Sequence, residues 1–183
     1  LRIVYHGSLD GGRGLHRIIE FGEMLDSEGV EFRILIFGVG NLTNFFRNES
    51  KKRSWLEFGG AKEYAEVPKL VAENDIGILP LPDALAWNVG SPLKVMEYAA
   101  SGLCVLTTDV DGTVPFSGQD WLVRSPKESP LGSWLEFIVD FPYNKKDLEE
   151  KKANARSYAE NNLSWDIAVS DLHNKMIELS DKS

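Results

Sequence analysis

The sequence predicts a doubly wound α/β domain, in which helices cover both faces of a parallel sheet. Short apolar runs rich in branched and aromatic residues alternate along the chain with amphipathic segments of helical period. Continuous apolar strands are typical of sheets buried on both faces, and a helix between successive strands makes them parallel. With 183 residues and 43% hydrophobic content, the chain is long enough to bury a full core. We therefore expect one domain over residues 1–183.

The predicted strands and helices alternate until the last part of the chain. In order, the strands are RIVYHG, EFRILIFG, WLEFGGA, DIGILPL, LCVLTTD and WLVR. The helices between them are GLHRIIEFGEMLDSEG, NLTNFFRNESKKRS, AEVPKLVAEN and SPLKVMEYAASG. After Glu128 only helical patterns follow, in WLEFIVDF, NKKDLEEKKANARSYAENN and WDIAVSDLHNKMIEL. These segments predict extra C-terminal helices, and the spacing of Trp134, Phe137 and Phe141 indicates packing in the core or at a domain interface.

Charge and cysteine content exclude several classes of partner. A net charge of −8 repels phosphate backbones and anionic lipids, so we expect neither nucleic-acid binding nor membrane contact through this domain. The basic cluster RNESKKRS, from Arg47 to Ser54, is interpreted as a solvated helix face. Cys104 is the single cysteine, and no apolar run reaches the roughly 18 residues that a membrane span requires. A cytoplasmic location is therefore expected, with any peripheral contact at the inner face of the membrane made by other parts of the protein.

The first residues, LRIVYHG, enter a strand at once and without an initiating Met. We interpret the chain as a piece of a longer protein.

The stretch GSPLKVMEYAASG, from Gly90 to Gly102, reads as a short helix with well-defined ends. Ser91 is a good N-cap, Pro92 suits the first helical position, and Gly102 suits the left-handed position after the last turn. Lys94 then falls in the first turn, where the helix dipole disfavours a cation by several tenths of a kcal/mol. An anion bound to the free N–H groups of residues 91–94 would compensate for this cost, and Lys94 would add an ion pair.

Glu97 lies one turn further along the same helix. At 100° per residue one face carries four apolar residues, and Glu97 is expected to border that face and the core. The four are Leu93, Met96, Ala99 and Ala100. The Glu97 side chain leans toward the helix N-terminus, where its carboxylate could accept hydrogen bonds from the vicinal hydroxyls of a ribose. The alternative is an exposed pair of Lys94 and Glu97 worth a few tenths of a kcal/mol, and the residues alone leave both interpretations open.

Four loops follow the carboxyl ends of the first four predicted strands, where open α/β sheets bind their ligands: GSLDGGRG, GVGN, GGAKEY and PDALAWNVGSP. None has the glycine spacing of a nicotinamide site or of a P-loop. His6, His16 and His173 are scattered, so no metal site is predicted.

Four segments resemble the donor-binding, C-terminal domain of retaining GT-B glycosyltransferases, specifically glycosyltransferase family four. These are YHGSLDGGRGLHRII, FRILIFGVG, FGGAKEYAEVPKLVAENDIGILPLPD and SPLKVMEYAASGLCVLTTDVDG, in the order of the family and over roughly residues 1–125. The resemblance implies a Rossmann-like half of a GT-B fold that binds a nucleotide-diphosphate sugar without a metal or other cofactor.

The resemblance also assigns the donor-site residues. Glu97 matches the second glutamate of the family's Glu-x7-Glu motif, which holds the ribose hydroxyls. Ser91, Pro92 and Leu93 match the segment whose backbone N–H groups meet the diphosphate, and Arg13 matches the basic residue that neutralises it. Gly7 and Ser8 belong to the glycine loop at the same diphosphate, where Lys94 would add its charge.

Two positions depart from the family pattern. Val89 stands where the first glutamate of the motif is expected, and Ser8 replaces the arginine that commonly follows the first-strand glycine. Asp83, Trp87 or Asn88 could supply the missing sugar contact. The departures leave open an alternative, a non-catalytic GT-B-like module with a degenerate donor site.

The expected activity is sugar transfer with retention, in polysaccharide or glycoconjugate synthesis. The resemblance implies an acceptor-binding N-terminal domain as the partner of this half. No catalytic residue is assigned within this chain, and we expect it to bind the donor but not to turn it over alone.

Overall fold

A computed structural model describes residues 1–88, 93–139, 141 and 144–180. Within these residues the chain forms one parallel sheet of six strands in the order β3-β2-β1-β4-β5-β6. The strands are β1 (Arg2–Ser8), β2 (Arg33–Val39), β3 (Leu56–Gly60), β4 (Ile76–Leu79), β5 (Cys104–Thr108) and β6 (Leu122–Ser125). The predicted doubly wound α/β class is confirmed, and every predicted strand is present.

The helices of the described residues are α1 (His16–Ser27), α2 (Thr43–Glu49), α3 (Val67–Ala72), α4 (Leu85–Asn88), α5 (Leu93–Ala100), α6 (Leu131–Val139), α7 (Lys145–Asn162) and α8 (Trp165–Ser180). Short 3-10 helices span Gly11–Arg13, Tyr64–Glu66 and Asp111–Phe116. The sequence did not predict α4 or these 3-10 turns.

Helix α2 is shorter than predicted, and two residues of the basic cluster pair with the acidic residue at its end. The helix stops at Glu49 instead of continuing to Ser54, and Glu49 is only 9% exposed. The Lys52 ammonium lies 2.6 Å from one Glu49 oxygen, and the Arg53 guanidinium pairs with the other. The basic residues therefore fold back over a buried carboxylate, whereas the sequence predicted a solvated helical face.

The buried face of α5 also differs from the prediction. Its buried residues are Val95, Tyr98 and Ala99, while Leu93 is 64% exposed. Tyr98 lies directly on β4 at Gly77, where a Cβ would come within 2.3 Å of the Tyr98 ring. Because this contact turns the helix, Leu93 and Glu97 fall on the side opposite the buried stripe. The helix closes as predicted, with Gly102 in the left-handed conformation at φ +72°.

The C-terminal helices pack on the sheet through buried contacts. Trp134 in α6 is fully buried and donates from Nε1 to the carbonyl of Thr107 at 3.3 Å, and Phe141 is also buried. Helix α7 is joined to the sheet by Lys152, whose Nζ lies 2.9 Å from Asp75 Oδ1. The predicted core role of Trp134 and Phe141 is confirmed. No helix among the described residues is long and apolar enough to cross a bilayer.

Candidate functional site

The candidate site lies where the strand order reverses direction. β1 pairs with β2 on one side and with β4 on the other, and the chain leaves these two strands toward opposite edges of the sheet. Loops that diverge in this way leave a crevice outside the carboxyl ends of the strands. The loop after β1 borders one side of the crevice, and α5, which follows β4, borders the other. Gly7, Arg13, Lys94 and Glu97 therefore come together although the sequence separates them.

Gly7 and Lys94 are in direct contact at the end of β1. A Cβ at Gly7 would lie 2.8 Å from Lys94 Nζ, and the Gly7 backbone has φ +108°. Only glycine combines this backbone conformation with room for the ammonium above it. Lys94 thus extends from the first turn of α5 across the carboxyl end of β1.

Lys94 is a half-buried cation, and no acidic side chain in the described part of the chain forms an ion pair with it. Burial is the largest cause lowering the pKa of its ammonium below the usual range; Glu97 opposes that shift and Arg13 adds to it. Glu97 is directed to His6, so the exposed pair of Lys94 and Glu97 considered from the sequence is not formed. Two neighbouring cations, one of them half-buried, favour an anion between them.

His6 holds the carboxylate of Glu97 at the other side of the crevice. His6 Nε2 lies 3.3 Å from Glu97 Oε2, and its ring stacks on Phe37 and meets Tyr98 edge-on. This contact is the largest cause lowering the pKa of Glu97; burial opposes it, and Lys94 assists it. Glu97 is half-exposed, so an ionised carboxylate faces the crevice. The sequence interpretation assigned His6 no role in the site, although its place just before Gly7 at a strand end was a usable signal.

Ser8 faces an acidic residue that the sequence interpretation did not assign. Its hydroxyl donates to Asp10, and Asp10 also accepts from the backbone N–H of Asn41 at 3.4 Å. The hydrogen bond from Ser8 is the largest cause holding the pKa of Asp10 below its usual range, and the Asn41 contact adds to it. The position where the family commonly has an arginine therefore contributes a hydroxyl that is bound to a carboxylate.

A groove of about 340 Å³ continues from Gly7 along the ends of the neighbouring strands. It is lined by Gly7, Ser8, Gly38, Val39, Ala61 and Lys62. Its walls are small or apolar apart from Ser8 and Lys62. Such a groove suits a flat ring system next to a charged end.

The residues considered as replacements for the missing sugar contact are engaged with one another or with the glycine loop. Asp83 Oδ1 lies 3.0 Å from Lys127 Nζ and accepts from Asn88 Nδ2 at 3.0 Å. Trp87 donates from Nε1 to the carbonyl of Gly12 at 3.0 Å, and the Arg13 guanidinium lies 4.8 Å from the centre of its ring.

Val89, Ser91 and Pro92 lie outside the described residues, so their predicted roles stay predictions. Leu93 is the first described residue of α5 and is exposed beside the crevice. Within the described part of the chain, no group of three or more His, Cys, Asp or Glu side chains is arranged to hold a metal ion.

Curated and solved proteins resemble this chain along most of its length. It is 28% identical over 142 residues to WcaL of Salmonella typhimurium, which is named as a putative colanic acid biosynthesis glycosyltransferase. That match covers 74% of this chain and 35% of WcaL, so the chain spans about a third of that relative.

Two solved structures share the fold. The crystal structure of TarM superposes with a TM-score of 0.75 at 14% identity, covering 94% of this chain and 34% of TarM. The pneumococcal O-GlcNAc transferase GtfA, solved with UDP and GlcNAc, superposes with a TM-score of 0.72 at 18% identity over 97% of this chain and 35% of GtfA.

A family model described as "Glycosyl transferases group 1" matches residues 1–131. These residues contain β1 to β6, α1 to α5 and the four residues that meet at the crevice. The chain therefore belongs to the group 1 glycosyltransferases, and its sheet is the Rossmann-like sheet of a GT-B glycosyltransferase.

Proposed function

We propose that this chain is the donor-binding half of a glycosyltransferase that moves a sugar from a nucleotide-diphosphate sugar to an acceptor with retention. The half-buried ammonium of Lys94 over Gly7 carries the proposal, because Lys94 has Arg13 as a neighbour and no acidic partner among the described residues. A diphosphate supplies the negative charge that this pair of cations lacks.

The ribose of the donor lies at Glu97 in this proposal. The contact with His6 lowers the pKa of the Glu97 carboxyl, and the carboxylate is half-exposed toward the crevice. An ionised carboxylate accepts two hydrogen bonds from a vicinal diol, which is how dinucleotide-binding folds recognise ribose. The base, which the ribose joins to the diphosphate, is proposed to occupy the groove that Gly7, Gly38 and Lys62 line.

The chemical contribution of this half is to stabilise the leaving nucleoside diphosphate. Negative charge grows on the diphosphate as the bond to the sugar breaks. In this proposal Arg13 and Lys94 stabilise that charge. The first turn of α5 adds the positive end of its dipole. These cations supply the positive charge that a metal would otherwise supply, so we propose transfer without a metal. Acceptor binding belongs to a further domain of the full-length protein.

The relatives support the biological setting of this activity. WcaL is named for colanic acid biosynthesis, which is polysaccharide synthesis, and GtfA was solved with UDP and GlcNAc. A role in polysaccharide or glycoconjugate synthesis follows for this chain by analogy.

The alternative function is a non-catalytic module with a degenerate donor site. The engagement of the Ser8 hydroxyl by Asp10 favours it, because a carboxylate lies beside the position where the family commonly places an arginine. This alternative predicts a full-length protein that folds and associates but leaves nucleotide sugars unconsumed, and a fully decayed site would also fail to bind a nucleoside diphosphate.

Calorimetric titration with UDP, GDP and ADP tests the proposal against the alternative. We expect one of the three to bind the wild type and to bind Glu97→Ala at least tenfold more weakly, about the loss of a hydrogen bond to a charged group. Absence of binding by the wild type to all three, or equal binding by the variant, contradicts the proposal.

A further inference from the structure

Trp87 connects two segments of the site that the sequence treats separately. It lies in α4, in the segment after β4, whereas Gly12 and Arg13 lie in the 3-10 helix after β1. The indole Nε1 donates to the carbonyl of Gly12 at 3.0 Å. The face of the same indole lies 4.8 Å from the Arg13 guanidinium carbon. The Trp87 side chain therefore contacts both the Gly12 backbone and the Arg13 guanidinium.

The segment that carries Trp87 is itself fixed. Asp83 accepts from Asn88 at 3.0 Å and pairs with Lys127 at 3.0 Å, which joins the start and end of this segment to the chain after β6. On the other side, Gly14 packs so closely on the carbonyl of Pro80 that a Cβ would come within 2.2 Å. The segment that carries Trp87 and the loop that carries Arg13 are therefore both held by contacts within the protein.

The geometry points to Trp87 as the positioning residue that holds the Arg13 guanidinium toward the diphosphate. This inference rests on the proposed function, because it assigns a task to Arg13 at the donor. An arginine stacked on an indole keeps its N–H groups free at the ring edge, so it binds an anion while the ring restricts its motion. Arg13 has Lys94 as its neighbour across the crevice, and the two cations repel one another in the absence of an anion. The contact with Trp87 offsets that repulsion.

This role differs from sugar stacking, the other task that an aromatic residue at this place could have. One indole face is already covered by Arg13, and Nε1 is already bonded to Gly12. A positioning role predicts that Trp87 acts on the diphosphate through Arg13. A stacking role predicts a direct action on the sugar that persists without Arg13.

The test compares a nucleoside diphosphate with its monophosphate. Calorimetry first identifies which of UDP, GDP and ADP binds the wild type. The dissociation constants of that diphosphate and its monophosphate are then measured for Trp87→Leu, Trp87→Phe, Arg13→Ala and the double variant that combines Trp87→Leu with Arg13→Ala. Trp165→Leu is the matched control, because Trp165 is 85% exposed at the start of α8.

We expect Trp87→Leu to bind the diphosphate about tenfold more weakly than the wild type, because it loses one cation–π contact and one hydrogen bond. Its affinity for the monophosphate should stay within about twofold of the wild-type value. Trp87→Phe keeps a ring face and loses only the bond to Gly12, so its loss is about two- to threefold. The double variant binds no more weakly than Arg13→Ala, because the ring contact and the bond to Gly12, the residue before Arg13, both act on the position of Arg13. Trp165→Leu leaves both affinities unchanged.

Equal losses for the diphosphate and the monophosphate in Trp87→Leu overturn the inference, as do additive losses in the double variant. If Trp87→Leu does not fold, Trp87→Phe provides the test. Weaker binding of the diphosphate alone supports the inference, and an unchanged affinity for the diphosphate overturns it. A wild type that binds none of the three nucleotides overturns the proposed function together with this inference. A wild type that binds, with Arg13→Ala weakened and the Trp87 variants unaffected, overturns this inference alone.

Discussion

His6 and Glu97 face each other across the mouth of the crevice, with 3.3 Å between Nε2 and Oε2. The histidine is buried between Phe37 and Tyr98, and the glutamate is half-exposed. The Glu97 carboxylate thus lies against a buried ring on one side and is open to the crevice on the other. This relationship has consequences for both nucleotide recognition and its pH dependence.

The proposed contact of Glu97 with the ribose predicts a preference for nucleotides that carry both hydroxyls. We expect the wild type to bind the ribonucleoside diphosphate about tenfold more tightly than its 2′,3′-dideoxy analogue, because the analogue lacks the hydroxyls that donate to a charged acceptor. In Glu97→Gln, which keeps the shape of the side chain, the preference should fall to about threefold or less. Calorimetry with the two ligands measures it. An unchanged preference in the variant would place the ribose elsewhere.

The His6 contact predicts how nucleotide binding responds to acid. His6 lowers the pKa of Glu97 below its ordinary 4.5, so Glu97 is ionised at both pH 7 and pH 5 in the wild type. His6→Phe keeps an aromatic ring beside Phe37 and Tyr98 but removes Nε2. The pKa of Glu97 then rises, because burial is no longer opposed by this contact, and part of the carboxylate becomes protonated at pH 5.

The affinity of His6→Phe relative to wild type should therefore be lower at pH 5 than at pH 7. Measuring the ratio of the two proteins at each pH removes the titration of the phosphate itself, which is common to both. A ratio that stays constant between the two pH values would show that His6 does not set the ionisation of Glu97.

Asp75 predicts acid sensitivity of the fold, away from the site. Burial alone would raise its pKa, but the Lys152 ammonium at 2.9 Å and the backbone N–H of Arg2 at 2.9 Å outweigh burial and lower it. A carboxyl with a lowered pKa in the folded state stabilises the fold above its unfolded pKa, and this contribution disappears as the pH falls through the folded value. The sensitive window therefore lies below the ordinary value of 3.8.

Asp75→Asn should lower the free energy of unfolding at pH 7 by about 2 kcal/mol, because it leaves Lys152 with only the exposed Glu149, at 3.3 Å, as an acidic partner. The difference from wild type should shrink as the pH falls below 4. Urea titrations at several pH values measure both effects. Glu160→Gln, which removes an exposed partner of Arg156, is the control and should cost less than about 1 kcal/mol. A cost for Asp75→Asn as small as that of the control would contradict the account.

Gly77 in β4 sets the position of α5, and with it the position of Lys94 and Glu97. Gly77→Ala places a methyl group 2.3 Å from the Tyr98 ring, so we expect a loss of about 1–3 kcal/mol of unfolding free energy from overpacking. The shift of α5 should also weaken nucleotide binding. At Gly132 in α6 a Cβ meets no atom within 4 Å, so Gly132→Ala is the control and should leave stability unchanged or raise it by up to about 1 kcal/mol. Equal behaviour of the two variants would exclude this role for Gly77.

The strands could be predicted because each contains a short apolar run that the layers of helices bury. Helix geometry suggested Lys94 and Glu97 as contacts of one ligand outside the carboxyl ends of the strands, whereas Gly7 and Arg13 were assigned to the same site by the resemblance to the family. The short helix α4 could not be predicted, since a single turn is stabilised by contacts of its surroundings and carries almost no periodicity of its own.

The buried face of α5 and the contact of Glu97 with His6 could not be predicted from the sequence either. An ideal helical wheel placed Leu93 on the core, but the contact of Tyr98 with Gly77 rotates the helix. The sequence contains both residues and does not say that they touch. The pair of His6 and Glu97 depends on that same rotation, because it decides which side chain of α5 reaches the end of β1.

Lys94 provides the half-buried charge of the proposed diphosphate site, and the variant Lys94→Met tests this role. Met keeps the approximate length of the side chain and removes its charge, and Lys51→Met, at an exposed lysine, makes the same change in net charge as a control. We predict that Lys94→Met binds the nucleoside diphosphate at least tenfold more weakly than wild type, as expected for a lost charge-assisted contact, while Lys51→Met binds it normally. The half-buried cation lowers stability without its ligand, so the melting temperature of Lys94→Met should equal or exceed that of wild type. A Lys94→Met protein with wild-type affinity for the diphosphate would contradict the central claim.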